Sequence, residues 1–226
     1  YKVPLSFEVR DIWPLTLCQL GGFSSKHPFI QLLQYIEDRA YRRSNHLISN
    51  LKYLDKHIQS RGFSTDNFHW IPNGYSQTEV NKKVPLSADV KKQLPQGKFT
   101  IGYTGTLGVA NCLDTLIEAA SQLQSQTEIA FVIVGQGKQK EHLQNKVAQL
   151  KLNNVTFIDA IPKVQIQSML AEFDVCYIGL TKDDLFHYGV SPNKLFDYFC
   201  SGKPIIYAID SGEYQPVNDA KAGLQI

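Results

Sequence analysis

The chain has 226 residues, of which 43% are hydrophobic and 19% charged, a balance typical of folded globular proteins. Its formal net charge of +2 is spread along the chain, so the basic footprint of a nucleic-acid-binding surface is missing and we expect no nucleic-acid partner. Four widely spaced cysteines without a C-x-x-C pair argue against a disulfide framework and a structural metal site, and they predict reduced thiols in the cytoplasm.

The first third of the chain predicts alternating strands and helices. Residues 5–9 alternate apolar and polar side chains, as a half-buried strand does, and Arg10 and Asp11 follow at its carboxyl end. Residues 28–43 place apolar side chains three or four apart and end in arginines, which favours a long helix. Further elements are predicted as strands over 47–49 and 68–71 and a helix over 51–61.

Residues 74–98 separate two predicted domains. This stretch is rich in Ser, Gln, Asn, Lys and Pro, with few apolar side chains, as expected of a connection between domains. The predicted organisation is a Rossmann-like domain over 1–80, a linker over 81–97 and a second Rossmann-like domain over 98–226. Because the sequence starts at Tyr1 and enters a strand almost at once, we expect a fragment of a longer protein.

The second domain shows apolar runs that alternate with helical patterns. Strands are predicted over 99–103, 129–134, 155–158, 175–178 and 205–209, and helices over 113–123, 139–150, 164–173 and 192–201. Such alternation predicts an α/β fold with a doubly wound parallel sheet and right-handed crossovers. Ligands of such sheets bind beyond the carboxyl ends of the strands. No apolar run approaches the ~20 residues that span a bilayer.

A glycine turn follows the first strand of the second domain. Gly105, Thr106 and Gly108 would let a ligand approach the backbone closely near the start of a helix. An ordinary tight turn explains the same residues equally well. The loop lacks the Gly-Lys-Ser/Thr ending of a Walker loop.

A second glycine turn follows the next strand. Gly135 and Gly137 begin like the dinucleotide fingerprint, but Lys140 stands where its third glycine belongs. With Asp159 as the acid that binds ribose, this turn would form an NAD site. An NAD-dependent oxidoreductase is therefore one alternative, resting on a short pattern.

Residues 191–206, SPNKLFDYFCSGKPII, predict a helix that feeds a buried strand. Ser191 is the expected N-cap and Pro192 the expected first helical residue. The amides of Asn193 and Lys194 would then point outward at the positive end of the helix, where they suit a diphosphate. The ammonium of Lys194 would add a full charge.

Asp197 lies four residues beyond Asn193, about 6 Å further along a helix that rises ~1.5 Å per residue. Its carboxylate would accept hydrogen bonds from the two hydroxyls of a ribose, so that one helix binds both parts of a nucleotide. The alternative is a solvated i,i+3 ion pair between Lys194 and Asp197, worth ~0.3 kcal/mol. The helix by itself does not decide between these interpretations.

Several motifs together resemble a known enzyme family. The glycine turn, the V-G-x-G turn and S-P-N-K-L-F-D-Y followed by S-G-K-P-I-I resemble the carboxyl half of GT-B glycosyltransferases of family 4. The stretches F-E-V-R-D-I-W-P and W-I-P-N-G-Y resemble the end of the acceptor domain of that family. The similarity covers the whole chain, and the subgroup that builds bacterial capsule or lipopolysaccharide is the most similar.

The resemblance implies a retaining transfer from a nucleotide sugar, such as a UDP- or GDP-sugar, to a lipid-linked saccharide. It implies no metal and no cofactor, and a cytoplasmic enzyme with peripheral contact to the inner face of the cell membrane. Lys194 and Asp197 are the implied catalytic residues, and Arg10 and Asp11 are candidates for acceptor contact. The implied substrate-binding residues are Gly105, Thr106, Gly108, Gly135, Gly137, Ile161, Tyr188, Ser191, Pro192, Asn193 and Leu195.

The sequence departs from the family at two places. The first acid of the E-x7-E pattern falls on Gly189, and the substitutes considered are Tyr188, Ser191, Asp183 and Asp184. No Arg or Lys lies between Gly105 and Leu116, where many relatives carry both, so that Lys194, Lys163, Lys138 or backbone amides must neutralise the diphosphate. The nucleobase is expected near residues 159–162. A non-catalytic nucleotide-binding module, or a fragment that binds donor without transferring sugar, is the other alternative.

Overall fold

The computed structural model describes residues 3–226, apart from the side chain of Glu79. Residues 1 and 2, at which the predicted first domain begins, lie outside the described part. The chain forms two compact units. The first contains the described residues up to Asn73 with Asp183–Ser191 and Asp210–Tyr214, and the second contains Gly74–Lys182, Pro192–Ile209 and Gln215–Ile226. Assignment of these units to the acceptor and the nucleotide sugar stays a prediction.

The first unit contains a three-stranded parallel sheet. Its strands are β1 (Ser6–Val9), β2 (His46–Ser49) and β3 (Phe68–Trp70), in that order, and its helices are α1 (Leu15–Gln19), α2 (Pro28–Arg43) and α3 (Leu54–Ser60). The register pairs Val9 with Ser49 and Ser49 with Trp70. All three strands therefore end in one row, and the loops that follow them share one edge, which we name the carboxyl edge of the first sheet.

Helix α2 occupies the predicted range 28–43. The Nδ1 atom of His27 accepts a hydrogen bond from the Phe29 amide at 3.2 Å and so caps the helix, while Pro28 takes its first position. The helix buries Glu37, whose carboxylate accepts from the Tyr41 hydroxyl at 2.7 Å and contacts His57 Nε2 at 3.1 Å. These partners satisfy a carboxylate that would otherwise be costly to bury.

The second unit begins with α4 (Gln77–Asn81) and α5 (Ala88–Gln93) and then builds a six-stranded parallel sheet. Its strands are β4 (Phe99–Thr104), β5 (Ile129–Val134), β6 (Val155–Ile158), β7 (Val175–Gly179), β8 (Ile205–Ala208) and β9 (Gly223–Gln225). Its further helices are α6 (Leu113–Gln122), α7 (Lys140–Gln149), α8 (Ile166–Ala171), α9 (Asn193–Ser201) and α10 (Pro216–Asp219). Short 3₁₀ turns cover Val109–Asn111, Lys163–Gln165 and, in the first unit, Asp184–Tyr188.

The strand order of the second sheet is β6-β5-β4-β7-β8-β9. All described pairings in it are parallel, which confirms the predicted doubly wound α/β sheet. The order reverses between β4 and β7, and a crevice for ligands forms at such a switch point, outside the carboxyl ends of the strands. The loops after β4 and β7, together with the helix that β7 leads into, are therefore the places to look for a site.

The core of the second unit fixes these strand ends in place. Tyr103, Phe131 and Ile133 on the central strands are at most 1% exposed and pack against Leu116 and Ile117 of α6. Burying an aliphatic or aromatic side chain of this size stabilises a fold by roughly 1.5–3 kcal/mol. The loops at the carboxyl ends therefore rest on a close-packed base.

The strands and the longer helices agree with the sequence predictions, whereas α3 begins three residues later than predicted and the short helices α1, α4, α5 and α10 were not predicted. Each predicted strand is present to within one residue at either end. The predicted linker over 81–97 contains α5, which Ser87 caps by accepting from the Val90 amide at 3.3 Å. The predicted start of α9 at Pro192 is wrong, because Pro192 is extended, with φ −68° and ψ 129°, and serves as the N-cap.

Candidate functional site

The glycine loops after β4 and β5 are hydrogen-bonded to each other. The Gly105 amide donates to the carbonyl of Val134 at 3.0 Å, and the Leu107 amide donates to the carbonyl of Gln136 at 2.9 Å. These bonds continue the β4–β5 ladder beyond the strand ends. The loop after β4 is thereby held at the switch point.

Gly135 and Gly137 are required by this contact between loops. Their φ angles are 153° and 159°, which side chains rarely adopt. A Cβ atom on Gly135 would overlap the carbonyl of Gly105, and one on Gly137 would overlap the carbonyl of Leu107. Packing of the two loops therefore explains the G-x-G pattern without a bound dinucleotide.

Helix α9 starts next to the switch point with its first turn uncapped by any side chain. The predicted capping role of Ser191 is wrong. The Ser191 hydroxyl accepts from the Asn73 amide at 3.4 Å and its carbonyl accepts from Asn73 Nδ2 at 2.7 Å. Because the extended Pro192 separates Ser191 from the helix, the hydroxyl lies one residue too early to cap it. The positive end of α9 thus lacks the oxygen that usually neutralises it.

Lys194, in the first turn of α9, reaches back to the end of β4. Its Nζ donates to the Tyr103 hydroxyl at 2.8 Å and to Asn111 Oδ1 at 2.7 Å, and lies 4.5 Å from the centroid of the Tyr103 ring. The Tyr103 hydroxyl donates in turn to the Thr106 carbonyl at 2.7 Å. A Cβ atom on Gly105 would lie 3.2 Å from Nζ, so the glycine leaves the space that the lysine fills.

The ammonium of Lys194 has no carboxylate partner among the residues that the structure describes. Burial lowers its pKa to about 8, because desolvation penalises the charged form. Two of its three N–H donors have protein partners, which leaves one for a ligand. Lys194 is thus a partly buried cation without a counter-ion in the described chain, and it lies beside a helix N-terminus. Such a combination attracts an anion strongly.

Asp197 lies one turn further along α9 and faces a cleft of about 620 Å³. Both of its oxygens accept from Lys163 Nζ, at 2.9 and 2.8 Å, while its backbone carbonyl accepts from Gln167 Nε2 at 3.0 Å. The alternative of an ion pair between Lys194 and Asp197 is therefore wrong. The cleft is also lined by Gly74, Tyr75, Ser76, Val80, Lys82, Val164, Ile166 and Asn193.

Asp159, the acid considered for an NAD ribose, is already engaged. Lys140 forms an ion pair with its carboxylate and Gln136 Nε2 donates to it at 2.7 Å. The Lys140 ammonium lowers the pKa of this carboxyl group. The fingerprint-like turn also follows β5, whereas the switch point lies between β4 and β7, which disfavours the NAD interpretation.

Gly189 leaves no room for the missing acid. Its φ is 102°, and a Cβ atom there would lie 2.7 Å from the Lys52 amide nitrogen. The preceding residue, Tyr188, packs against the core of the first unit, with its ring 5.5 Å from that of His57. Its carbonyl accepts from the Tyr53 amide at 2.9 Å. A substrate contact of Tyr188 stays a prediction.

The other predicted site residues lie at the carboxyl ends of strands or inside the fold. Arg10 and Asp11 follow β1 and line a cleft of about 250 Å³ that also includes the buried Glu37. Ile161 follows β6 and is half-buried. The Leu195 side chain is buried, since the residue is only 1% exposed, and the Leu195 amide donates to the Pro192 carbonyl at 3.0 Å. The side chain and the amide therefore both make internal contacts.

Two further observations concern metals and membranes. Within residues 3–226, no three His, Cys, Asp or Glu side chains converge in a way that could hold a metal ion. No helix in the same described range is both long enough and apolar enough to cross a membrane.

Comparison with known proteins identifies the family. Residues 87–226, well over half of the chain, match the family described as Glycosyl transferases group 1. WcaI of Escherichia coli, named as a colanic acid biosynthesis glycosyl transferase, is 29% identical over 176 residues, which cover 72% of this chain and 41% of WcaI. The chain thus spans less than half the length of that relative.

Solved structures share the fold at low sequence identity. Anabaena HepE, crystallised with UDP and glucose, aligns with a TM-score of 0.66 at 18% identity over 98% of this chain and 57% of HepE. WaaG, a glycosyltransferase involved in lipopolysaccharide biosynthesis, aligns with a TM-score of 0.69 at 18% identity over 100% of this chain and 62% of WaaG. The chain therefore belongs to the group 1 glycosyltransferases and has the Rossmann-like sheets of the GT-B fold.

Proposed function

We propose that the second unit binds a nucleotide-diphosphate sugar, and that the protein transfers the sugar to a lipid-linked saccharide with retention of configuration. The observation that carries the proposal is Lys194, a partly buried cation without a carboxylate partner at the uncapped start of α9. Family membership supports sugar transfer. Retention and the lipid-linked acceptor rest on the motif resemblance.

The diphosphate is assigned to the first turn of α9 and the loop after β4. The free amides of that turn, the helix dipole and the third N–H of Lys194 all favour negative charge at one place. Lys194 thereby substitutes for the Arg and Lys that many relatives carry after the first strand of this domain. The assignment neutralises the diphosphate with groups of this chain and requires no metal.

The ribose is assigned to Asp197. A carboxylate accepts hydrogen bonds from two vicinal hydroxyls, and the cleft beside it is large enough for a nucleoside. Lys163 donates to both carboxylate oxygens, so a bound ribose must share them or release the lysine. Uracil is our preferred base, since HepE was crystallised with UDP and glucose.

The reaction that we propose is a direct substitution at the anomeric carbon. The bond from this carbon to the diphosphate oxygen breaks, and a new bond forms to the acceptor hydroxyl oxygen on the same face. The acceptor proton leaves with the diphosphate. Lys194 and the helix-end amides stabilise the negative charge that collects on the departing group, which is the usual source of rate acceleration in such sites.

The biological setting that we propose is synthesis of a bacterial surface polysaccharide. The names of WcaI and WaaG refer to colanic acid and lipopolysaccharide biosynthesis. A lipid-linked acceptor would bring the protein to the inner face of the cell membrane as a peripheral, cytoplasmic enzyme.

Gly189 supports a second candidate function, a non-catalytic nucleotide-binding module. The first acid of the E-x7-E pattern is absent, and a side chain at this position would meet the Lys52 amide. A full-length protein that binds the donor but neither transfers nor hydrolyses its sugar would favour this candidate.

Calorimetric titration of the chain with UDP, GDP and NAD tests the proposal. We expect UDP to bind and Asp197→Asn to weaken it at least tenfold, because hydrogen bonds to a charged group contribute about 1.5–3 kcal/mol. The matched control is Asp159→Asn. Asp159, like Asp197, is an aspartate paired with a lysine, but it lies after β6 and not on α9. Unchanged UDP binding in Asp197→Asn contradicts the site, and NAD binding that is lost in Asp159→Asn favours an oxidoreductase.

A further inference from the structure

Lys52, in the first unit, points its ammonium toward three aromatic rings. Its Nζ lies 5.5 Å from the ring centroid of Tyr53, 5.5 Å from that of Trp70 and 5.7 Å from that of Tyr214. All three distances lie within the ≈6 Å range of cation–π attraction. We name these four residues the Lys52 cage. The Tyr53 ring also lies 4.5 Å from the ammonium of Lys56.

The charge of Lys52 is not neutralised by a protein carboxylate in the described part of the chain. Glu213, whose carbonyl accepts from the Tyr53 hydroxyl at 3.5 Å, pairs through its carboxylate with Lys56 at 2.9 Å. The face of an aromatic ring attracts a cation electrostatically, whereas a carboxylate also accepts hydrogen bonds from its N–H groups. The ammonium therefore keeps its donors for an anionic ligand.

The Lys52 cage lies where ligands of parallel sheets bind. Lys52 follows the end of β2, and Trp70 is the last residue of β3, in register with Ser49. Both therefore belong to the carboxyl edge of the first sheet, which is the ligand-binding edge of such folds. Arg10, after β1, also lies at this edge, but its guanidinium is paired with Glu8 at 4.0 Å.

Trp70 gives the cage an apolar surface that solvent can reach. It is 41% exposed, and its Nε1 donates to the Asn50 carbonyl at 3.3 Å, which orients the ring. Flat aromatic faces suit the apolar C–H face of a pyranose, and a few placed polar groups fix its orientation. A single ammonium beside such a face suits a sugar that carries one negative charge.

We infer that the Lys52 cage is a subsite for an acidic sugar, one that carries a carboxylate. The carboxylate accepts from Lys52 Nζ while the sugar ring packs on Trp70. Only the assignment of this sugar to the acceptor rests on the proposed glycosyltransferase function. A uronic acid residue is thus the expected chemical class at this position.

Titration with methyl β-D-glucuronide and methyl β-D-glucoside, followed by NMR, tests the subsite, since the two probes differ only in the carboxylate. We expect the glucuronide to bind at least fivefold more tightly to the 226-residue chain. Lys52→Met should remove the preference, and Lys52→Arg should retain it. Trp70→Ala should weaken both probes.

Lys56→Met is the matched control, because it removes a neighbouring lysine whose charge is already paired. It should leave the preference intact. Equal affinity for both probes, binding of neither, or a preference that persists in Lys52→Met would overturn the inference. UDP binding is measured on the same samples, so that a failure of the proposed donor site is seen separately from a failure of the subsite.

Discussion

The environment of Lys194 determines how its charge responds to pH. Burial lowers the pKa of its ammonium from about 10.5 to about 8, since no carboxylate in the described chain compensates for the lost hydration. Near pH 7 most of the chains carry the charge that an anion requires. Above pH 8 the side chain increasingly becomes a neutral amine, which no longer attracts the diphosphate.

We therefore expect the Kd of UDP to rise between pH 7.5 and pH 9.5, approaching tenfold per pH unit above pH 8. The sign follows because the protonated form binds and is depleted as pH rises through the lowered pKa. A phosphate with a second pKa near 6 keeps a constant charge over this range, so the ligand contributes no slope of its own. Calorimetry at several pH values measures the effect.

Lys194→Met is the control for this dependence, since methionine fills a similar space without the charge. It should bind UDP weakly and show no change in affinity over the same range. A wild-type affinity that stays constant from pH 7.5 to pH 9.5, or an equal slope in both proteins, would show that Lys194 does not hold the anion.

At the scale of the elements, the loops after β4 and β5 differ in whether their conformation requires glycine. Gly135 has a φ of 153° and no room for a Cβ atom against the Gly105 carbonyl. Gly108 has an ordinary φ of −115°, and the nearest atom to a Cβ there is Asn111 Nδ2 at 3.6 Å. The same substitution should therefore have opposite effects at the two positions.

We predict that Gly135→Ala destabilises the chain by ~3 kcal/mol, because it forces a residue with a side chain into a strained backbone region and against a carbonyl. Gly108→Ala should be neutral or slightly stabilising, as alanine reduces the freedom of the unfolded chain. The midpoint of urea unfolding compares the two. Similar losses at both positions would mean that the loops do not pack as described.

The regular elements were predictable because each depends on a local pattern. Strands β5 and β7 are almost entirely apolar and are buried at every residue after the first, and α2 shows its apolar spacing over 16 residues. Strand β9 was missed because it has only three residues at the sheet edge, and Leu224 within it is 66% exposed. A short, exposed segment carries too little pattern to be distinguished from a turn.

The site was predictable only in part. Sequence alone predicted that Lys194 and Asp197 share one helix, which the structure confirms, while their roles in binding stay predictions. It did not identify Tyr103 and Asn111, which lie 91 and 83 residues away in sequence and meet Lys194 through the sheet topology. The predicted capping role of Ser191 was wrong for a similar reason, because its hydroxyl accepts a hydrogen bond from Asn73, 118 residues away in sequence.

At the scale of the whole molecule, each unit presents its own cation at the carboxyl end of its own sheet. Lys194 in the second unit is proposed to receive a diphosphate, and Lys52 in the first unit is proposed to receive a carboxylate. A ligand slows the local opening of the backbone that it touches. The two ligands should therefore leave separate patterns of amide protection.

We predict that saturating UDP slows amide hydrogen exchange at least tenfold in the loop after β4 and the first turn of α9, and leaves the loops after β1 and β2 unchanged. These loop amides exchange by local opening, which reports contact, whereas the most protected amides report unfolding of a larger part of the chain and would slow with any ligand.

Mass spectrometry of peptides that cover residues 104–111 and 192–197, compared with 10–15 and 50–54, measures the difference. Methyl β-D-glucuronide should give the reverse pattern. Protection by UDP in the first unit alone would move the donor site away from α9, and equal protection throughout would show that UDP only shifts the global unfolding equilibrium.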